Sequence, residues 1–302
     1  MSKKQYMWLD GKFVESGSAS VNILTHSLQY GSGMFEGIRA YKTKRGTAIF
    51  RLKEHAKRFM RTAKILNMPL GITERQLEHA VISTIRKNGL EECYIRPFAF
   101  YDDSGIGLGV IGKKVSVAVA AIPFGSYFGN RAKGITCKVS SWNRISSNIL
   151  PPQAKASGNY ANSILASLEA KKAGAEEAIL TTAAGYVAEG PGENIFLVED
   201  GRLVTPSKES DILLGITRAS IITLAEELGI IIEERLVHRE ELYTCDELFF
   251  CGTAAEVTPI VSVDSRKVGG GTPGPITKLI SDKFFAVARG EASNYAKWLT
   301  YL

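Results

Sequence analysis

Two nine-residue runs, CYIRPFAFY (93–101) and KVSVAVAAI (114–122), follow one another with only a glycine-rich loop between them. Both are dense in β-branched and aromatic residues, which predicts strands. A doubly wound sheet needs a helix after nearly every strand, and no helical period separates these two. The remaining pattern is as irregular. Residues 6–14 and 36–51 read as strands separated by the loop SLQYGSG. In 51–66, Leu52, Ala56, Phe59, Ala63 and Leu66 fall at helical spacing with lysines and arginines opposite. A second helix is predicted over 73–88, stopping at Asn88–Gly89. The expected fold class is therefore α+β.

The segment PFGSYFGNRAKG (123–134) carries turn residues and no period, so it marks a domain boundary. The predicted organisation is a small N-terminal domain (1–124), an interdomain loop (125–135) and a larger C-terminal domain (136–302). That second half reads as strand ITCKVSSW, a lysine segment, and a helix over about 160–172 ending at Gly174. Strands EEAILTT and ENIFLVED follow, then a turn at Asp200–Gly201. Ile221, Leu224, Ala225 and Leu228 form a helix face closed by Gly229; a strand DELFFCGTAAEVTPI and a helix near 275–289 finish the chain.

A chain of 302 residues with 45% hydrophobic content can bury a substantial core, in one large or two medium domains. No apolar run approaches a membrane span, and the first residues lack the apolar stretch of a secretory signal. Cys93, Cys137, Cys245 and Cys251 show no CxxC spacing, and the histidines form no HExxH. A cytoplasmic, reducing setting without a metal site is expected. The net charge of +6 is scattered among acidic residues, with no aromatic and basic stripe for nucleic acid. GLGVIG (107–112) matches a dinucleotide fingerprint only in letters, because it precedes a strand rather than opening a helix.

In PPQAKASGNYANSILA (151–166), Lys155 stands among Ala154, Ala156, Ser157 and Gly158. A lysine with small neighbours can be desolvated, which lowers its pKa toward a nucleophilic amine able to form a Schiff base. Pyridoxal phosphate bound in that way needs a phosphate site, a partner for the ring nitrogen and a group near the ring oxygen. In LLGITRAS, Gly215 permits a tight turn and Ile216 and Thr217 open a helix suited to a phosphate; Thr217 could equally be a plain helix cap. CGTAAE (251–256) offers backbone N–H groups and the Thr253 hydroxyl. Arg58 can add a charge, or pair with Glu54 one helical turn away. YVAEGPGENIF supplies two carboxylates for the ring nitrogen, Glu189 and Glu193.

With these motifs stand HSLQYGSGMFEGIRAY, RLKEHAKRF, YIRPFAF, SSWNR and CGTAAEVTPI. From WLDGKFV to the C-terminus the chain resembles the branched-chain amino acid aminotransferases of the class IV, fold-type IV pyridoxal-phosphate enzymes. The resemblance implies two α/β domains joined by an interdomain loop, with the active site between them. It implies that Lys155 bonds the cofactor and shuttles the proton, that Tyr160 meets the ring oxygen, and that Glu189 pairs with the ring nitrogen while Glu193 braces the turn. Arg58, Ile216, Thr217 and Thr253 would hold the phosphate, and backbone near Leu213 would line the ring. Phe35, Tyr30, Tyr127 and Val110 would form an apolar side-chain pocket, Arg96 and Tyr94 would meet the distal carboxylate of glutamate, and the Thr253–Ala254 amides would face the substrate carboxylate. Phe124 stands where bacterial relatives often carry tryptophan, and GVIGKK is a short version of a pocket-walling loop, which opens the pocket to other hydrophobic amino acids. The implied reaction moves the amino group between leucine, isoleucine or valine and 2-oxoglutarate, giving the branched 2-oxo acid and L-glutamate. D-amino acid aminotransferases and aminodeoxychorismate lyases share the lysine and the carboxylate, so they are the alternatives. The expected assembly is a homodimer, with assembly of dimers into a hexamer as its extension.

Overall fold

The computed structural model describes residues 4–125, 127–128 and 133–302. Residues 126 and 129–132 of the expected interdomain loop lie outside the described residues. The chain forms two compact units: Met1–Gly125 with Ala154–Gly158 and Val287–Leu302, and Ser126–Gln153 with Asn159–Ala286. None of the described helices is long and apolar enough to cross a membrane.

The first unit is built on an antiparallel sheet of eight strands among the described residues. Cys93–Tyr101 lies in its middle and pairs along its whole length with Val115–Pro123, from Cys93 opposite Pro123 to Tyr101 opposite Val115. Ile38–Thr43 and the short strand Gly33–Phe35 take its other side. Helices Leu52–Ile65 and Glu74–Asn88 belong to the same unit. The predicted stripe Leu52, Ala56, Phe59 and Ala63 is buried in its core with Leu77, Val81 and Ile85 of the second helix. That second helix starts at a reciprocal Thr73–Gln76 capping box and stops at Gly89, whose φ of 59° is left-handed.

The second unit carries a mixed sheet of nine strands among the described residues. Ile135–Val139 runs parallel to both Glu177–Thr181 and Glu256–Val263, and Arg202–Pro206 runs parallel to Ile232–Arg235; the other pairings are antiparallel. Helices Tyr160–Lys172, Ile216–Glu227 and Pro275–Ala288 accompany it. Ile195, Leu197, Leu248 and Phe250 form the centre of its core. Buried helical contacts from Ile221, Leu224 and Ala225 follow the predicted face.

Three segments read as single strands are hairpins. Residues 6–14 reverse at Asp10 and Gly11, both at positive φ, between Tyr6–Leu9 and Lys12–Glu15. Residues 36–51 reverse where the Thr43 hydroxyl donates to the Gly46 carbonyl and accepts from the Arg45 amide. Residues 246–260 reverse between Gly252 and Glu256. In each case both arms keep strand-like residues, and of the three reversals the first alone carries a strong hairpin dipeptide, Asp10–Gly11.

Candidate active site

In the first unit, Ala154–Gly158 lies along Gly33–Phe35. The Phe35 amide donates to the Lys155 carbonyl at 3.1 Å, Ala156 bridges Met34, and the Lys155 amide donates to the Thr62 hydroxyl at 3.2 Å. The small residues are what this approach requires. Ala154 and Ala156 are buried, and a Cβ on Gly31 would come within 3.1 Å of the Gly158 Cα. The Ser157 hydroxyl oxygen is buried with no hydrogen-bond partner among the described residues. With both backbone groups of Lys155 tied, its side chain is directed over the Phe35 ring, Nζ lying 5.0 Å from the centroid. Arg96 also lies over that ring, its Cζ 4.4 Å from the centroid, and its Nη2 donates to the Tyr94 hydroxyl at 3.1 Å. Gly37 makes that arrangement possible, since a Cβ there would collide with the Tyr94 hydroxyl. Lys155, Phe35, Tyr94 and Arg96, four of the predicted residues, are thus brought together.

Arg58 pairs beyond its own helix. Glu54 takes Arg51, and Arg58 reaches back to Glu36, with Nε donating at 2.6 Å and Nη2 at 2.9 Å to its two oxygens. This fork fixes the guanidinium plane. His55 Nδ1 lies 2.8 Å from the second oxygen, and the Gly37 amide is at 3.2 Å. Glu36 and His55 are fully buried. Burial alone pushes the Glu36 carboxyl up, but Arg58 and His55 overcome it and hold the group far below the usual carboxylate range. Burial pushes the His55 imidazole below its ordinary value, against the opposing pull of Glu36. The cluster therefore holds an anionic Glu36, a neutral His55 and a cationic Arg58.

Tyr30 and Val110 make other contacts. The Tyr30 ring is 4.7 Å from that of His26 and its hydroxyl accepts from the Gly107 amide, while Val110 packs on the core of the unit. Tyr127 belongs to the second unit, where its ring stands edge-on to Phe128.

In the second unit, Glu189 ends the short strand Val187–Glu189 and is buried. Its Oε1 faces Arg144 Nε at 2.8 Å, a charge contact without an aligned hydrogen bond. Its Oε2 accepts from Asn194 Nδ2 at 2.9 Å and from the Leu213 amide at 3.0 Å. Asn194 Nδ2 also donates to the Leu213 carbonyl, so Leu213 is held by both of its backbone groups. Two residues on, Gly215 is the N-cap of Ile216–Glu227 and offers no side chain to its first amides. A Cβ at Gly215 would collide with the Asn194 side-chain oxygen. Thr217 is the second helical residue, not the cap, and it is buried. Glu193 serves the turn itself: its Oε2 accepts from the Gly192 amide at 3.0 Å and its carbonyl from the Gly190 amide. Thr253 and Ala254 occupy the hairpin turn after Gly252, and Tyr160 is the first residue of Tyr160–Lys172.

A lysine amine on an aromatic ring, a fixed guanidinium, a buried carboxylate held by an arginine and two neutral donors, and uncapped helix amides are the groups an aldehyde, a phosphate and a pyridine nitrogen require. Residues 33–263 match the amino-transferase class IV family. The branched-chain-amino-acid aminotransferase of Pseudomonas aeruginosa is 45% identical over 296 residues, covering 97% of this chain and 96% of that protein. The chain belongs to the branched-chain amino acid aminotransferases of class IV. The solved structure of the Escherichia coli branched-chain amino acid aminotransferase superposes with a TM-score of 0.96 at 45% identity, covering 98% of this chain and 99% of that one. That of the T.th. branched-chain amino acid aminotransferase, complexed with N-(5′-phosphopyridoxyl)-L-glutamate, gives 0.95 at 43% identity over 99% of both chains.

In this aminotransferase, Glu36, His55, Arg144 and Asn194 are the site residues that sequence reasoning missed. Each sat inside a quoted motif without a role. His55 had a detectable signal, since it lies one turn from Leu52 and Phe59 on an otherwise apolar stripe.

Proposed function

We propose that the chain is a pyridoxal-phosphate-dependent transaminase. It moves the amino group between L-leucine, L-isoleucine or L-valine and 2-oxoglutarate, giving the branched 2-oxo acid and L-glutamate. The observation that carries this reading is the Lys155 amine and the Arg96 guanidinium on one phenylalanine ring, at 5.0 and 4.4 Å from its centroid. A reactive amine beside an apolar wall with a cation at its edge suits a reaction that alternates apolar and acidic side chains. The T.th. relative's complex joins a phosphopyridoxyl group to glutamate, which supports both the cofactor and the acidic substrate.

When bound, pyridoxal phosphate supplies an aldehyde and an electron-withdrawing ring. The residues present fit it. Gly215 has no Cβ to obstruct the amides of Ile216 and Thr217, and these amides with the Thr217 and Thr253 hydroxyls and Arg58 take the phosphate. Glu189 would accept from the protonated ring nitrogen on the carboxylate that Arg144, Asn194 and Leu213 hold in place. Tyr160 meets the ring oxygen, and the Leu213 backbone lines the ring. Lys155 Nζ would hold the cofactor's aldehyde carbon in the resting enzyme and, once the substrate amine takes its place there, would carry the proton to and from the substrate Cα. Phe35 with Tyr30, Val110 and Tyr127 excludes water from the apolar side chain. Arg96 and Tyr94 take the distal carboxylate of glutamate, and the Thr253 and Ala254 amides take the carboxylate common to both substrates.

A homodimer, able to assemble further into a hexamer, and a cytoplasmic setting complete the proposal. Ile23, Leu28, Ile106, Leu108 and Ile111 of the first unit are exposed apolar side chains that such an interface would cover, and the four cysteines are free and buried. The test is an amino-donor screen on the purified protein beside Lys155→Ala. Parent protein should convert branched-chain donors with 2-oxoglutarate and show a visible absorption band; the variant should lose both. An active, yellow Lys155→Ala protein refutes the assignment.

A further inference from the structure

The SSWNR segment supplies no group that would touch cofactor or substrate in the reading above, yet it ends in a buried arginine. Arg144 follows strand Ile135–Val139, and its amide donates to the Thr181 carbonyl at 2.7 Å. Asn143 beside it donates to the Thr181 hydroxyl and the Thr182 carbonyl at 3.0 and 3.1 Å, and its own carbonyl accepts from Asn162 at 2.8 Å. The loop is thus clamped to the end of Glu177–Thr181 and to the first turn of Tyr160–Lys172. From this anchorage the guanidinium reaches Glu189 Oε1, while Asn194 and Leu213 occupy Oε2.

We propose that Arg144 is a positioning residue that sets where a proton resides between Glu189 and the ring nitrogen of a bound pyridine cofactor. This deepens the reading of Glu189 given above and rests on it. Glu189 and Arg144 are each more than nine-tenths buried. Desolvation by itself drives a buried carboxylate to take up a proton. A neutral Glu189 would donate to the ring nitrogen instead of accepting from it, and the ring would lose its positive charge. Arg144 prevents this by pairing with the oxygen that the amides do not reach. Two neutral donors, Asn194 and Leu213, fix the direction of the carboxylate, and the Arg144 cation fixes its charge.

The experiment uses holoenzyme reconstituted with ring-15N pyridoxal phosphate, read by the 15N chemical shift and by single-turnover conversion with leucine. The parent should show a protonated ring nitrogen. Arg144→Met should move the shift toward the unprotonated value and slow the half-reaction about tenfold or more, the scale of coupling expected for contacting groups. Arg144→Lys, which keeps a cation, should recover most of the shift. Glu189→Gln should also move it, and adding Arg144→Met to Glu189→Gln should change the rate less than about twofold, because the arginine acts only through the carboxylate. The double variant leaves no lone buried charge, so this comparison stands even where Arg144→Met alone folds poorly. An unchanged shift in Arg144→Met, or losses that multiply in the double variant, overturn the proposal and leave Glu189 as the ring partner. An unchanged shift in Glu189→Gln overturns the reading of Glu189 itself, and the proposal with it.

Discussion

Glu36→Gln isolates the charge of the buried cluster with almost no change of volume. In the parent, the two carboxylate oxygens accept from Arg58 Nε and Nη2, from His55 Nδ1 and from the Gly37 amide. A glutamine keeps one acceptor and turns an N–H donor toward groups that are themselves donors. Arg58 is left without its counter-charge at 12% side-chain exposure. Removing one partner of a buried pair costs about 3–5 kcal/mol, and the residual exposure of Arg58 favours the lower end, about 3 kcal/mol. At about 2–3 °C per kcal/mol for a chain of this size, the unfolding midpoint of the apoprotein should fall by about 6–9 °C. The pH dependence has a definite sign. The folded carboxyl lies below its unfolded value, so its stabilisation is full above about pH 4.3 and is lost as pH falls toward the folded value. His55 acts in the same direction below about pH 6.5, because its folded value is depressed and the unfolded chain binds the proton first. Calorimetry of parent and variant carried from pH 7 into strong acid should show the gap between them narrowing only below about pH 4.3, where the parent begins to lose the Glu36 charge. Equal midpoints at pH 7 would refute the idea that the cluster is a stabilising ion pair. A gap that fails to narrow below about pH 4.3 would refute the assigned charge of Glu36.

Three further outcomes follow from the geometry. Arg96→Leu should weaken the glutamate half-reaction about ten- to a hundredfold, the loss expected for a charge-assisted hydrogen bond, while the leucine half-reaction changes little; equal losses in single-turnover measurements would remove Arg96 from substrate recognition. Gly215→Ala should lower affinity for pyridoxal phosphate about tenfold or more, because its Cβ collides with Asn194 and disturbs both the helix amides and Glu189; unchanged affinity in a titration of apoprotein would exclude those amides as the phosphate site. Gly37→Ala should displace the Tyr94 hydroxyl and so reproduce the selectivity of Arg96→Leu in weaker form, and a uniform loss across both donors would show that the two residues do not act together.

Much of the fold was legible because regular elements repeat their signal. Leu52, Ala56, Phe59 and Ala63 recur at helical spacing, and they are the buried side of that helix. The glycines after the helices, Gly89, Gly174 and Gly229, do adopt the positive φ that a left-handed terminus requires. Reversals were less legible. Asp10–Gly11 is a strong hairpin dipeptide, but Lys44–Arg45 and Thr253–Ala255 carry no comparable marker, and their conformation is set by pairing across the sheet. Nor does linear order show that Ala154–Gly158 packs against Gly33–Phe35, more than a hundred residues away along the chain.

The candidate site follows the same rule with the opposite result. Lys155 draws notice from its neighbours, but their smallness has a different cause from the one the sequence suggests. It permits a backbone approach to Gly31 and Phe35, and only through that approach does the amine come to lie over a ring. Glu36, His55 and Arg144 give weaker local signals, because their partners are distant in sequence: Glu36 lies 19 and 22 residues from His55 and Arg58. A buried charge is explained only by the group that compensates it, and one-dimensional spacing does not contain that group. The partial exception is instructive. His55 and Thr62 interrupt an apolar stripe on one helix, and a polar side chain in such a stripe must find a partner inside the protein. Those partners are Glu36 and the Lys155 amide. Two apparent flaws in one amphipathic helix therefore point to the Glu36–Arg58 cluster and to Lys155.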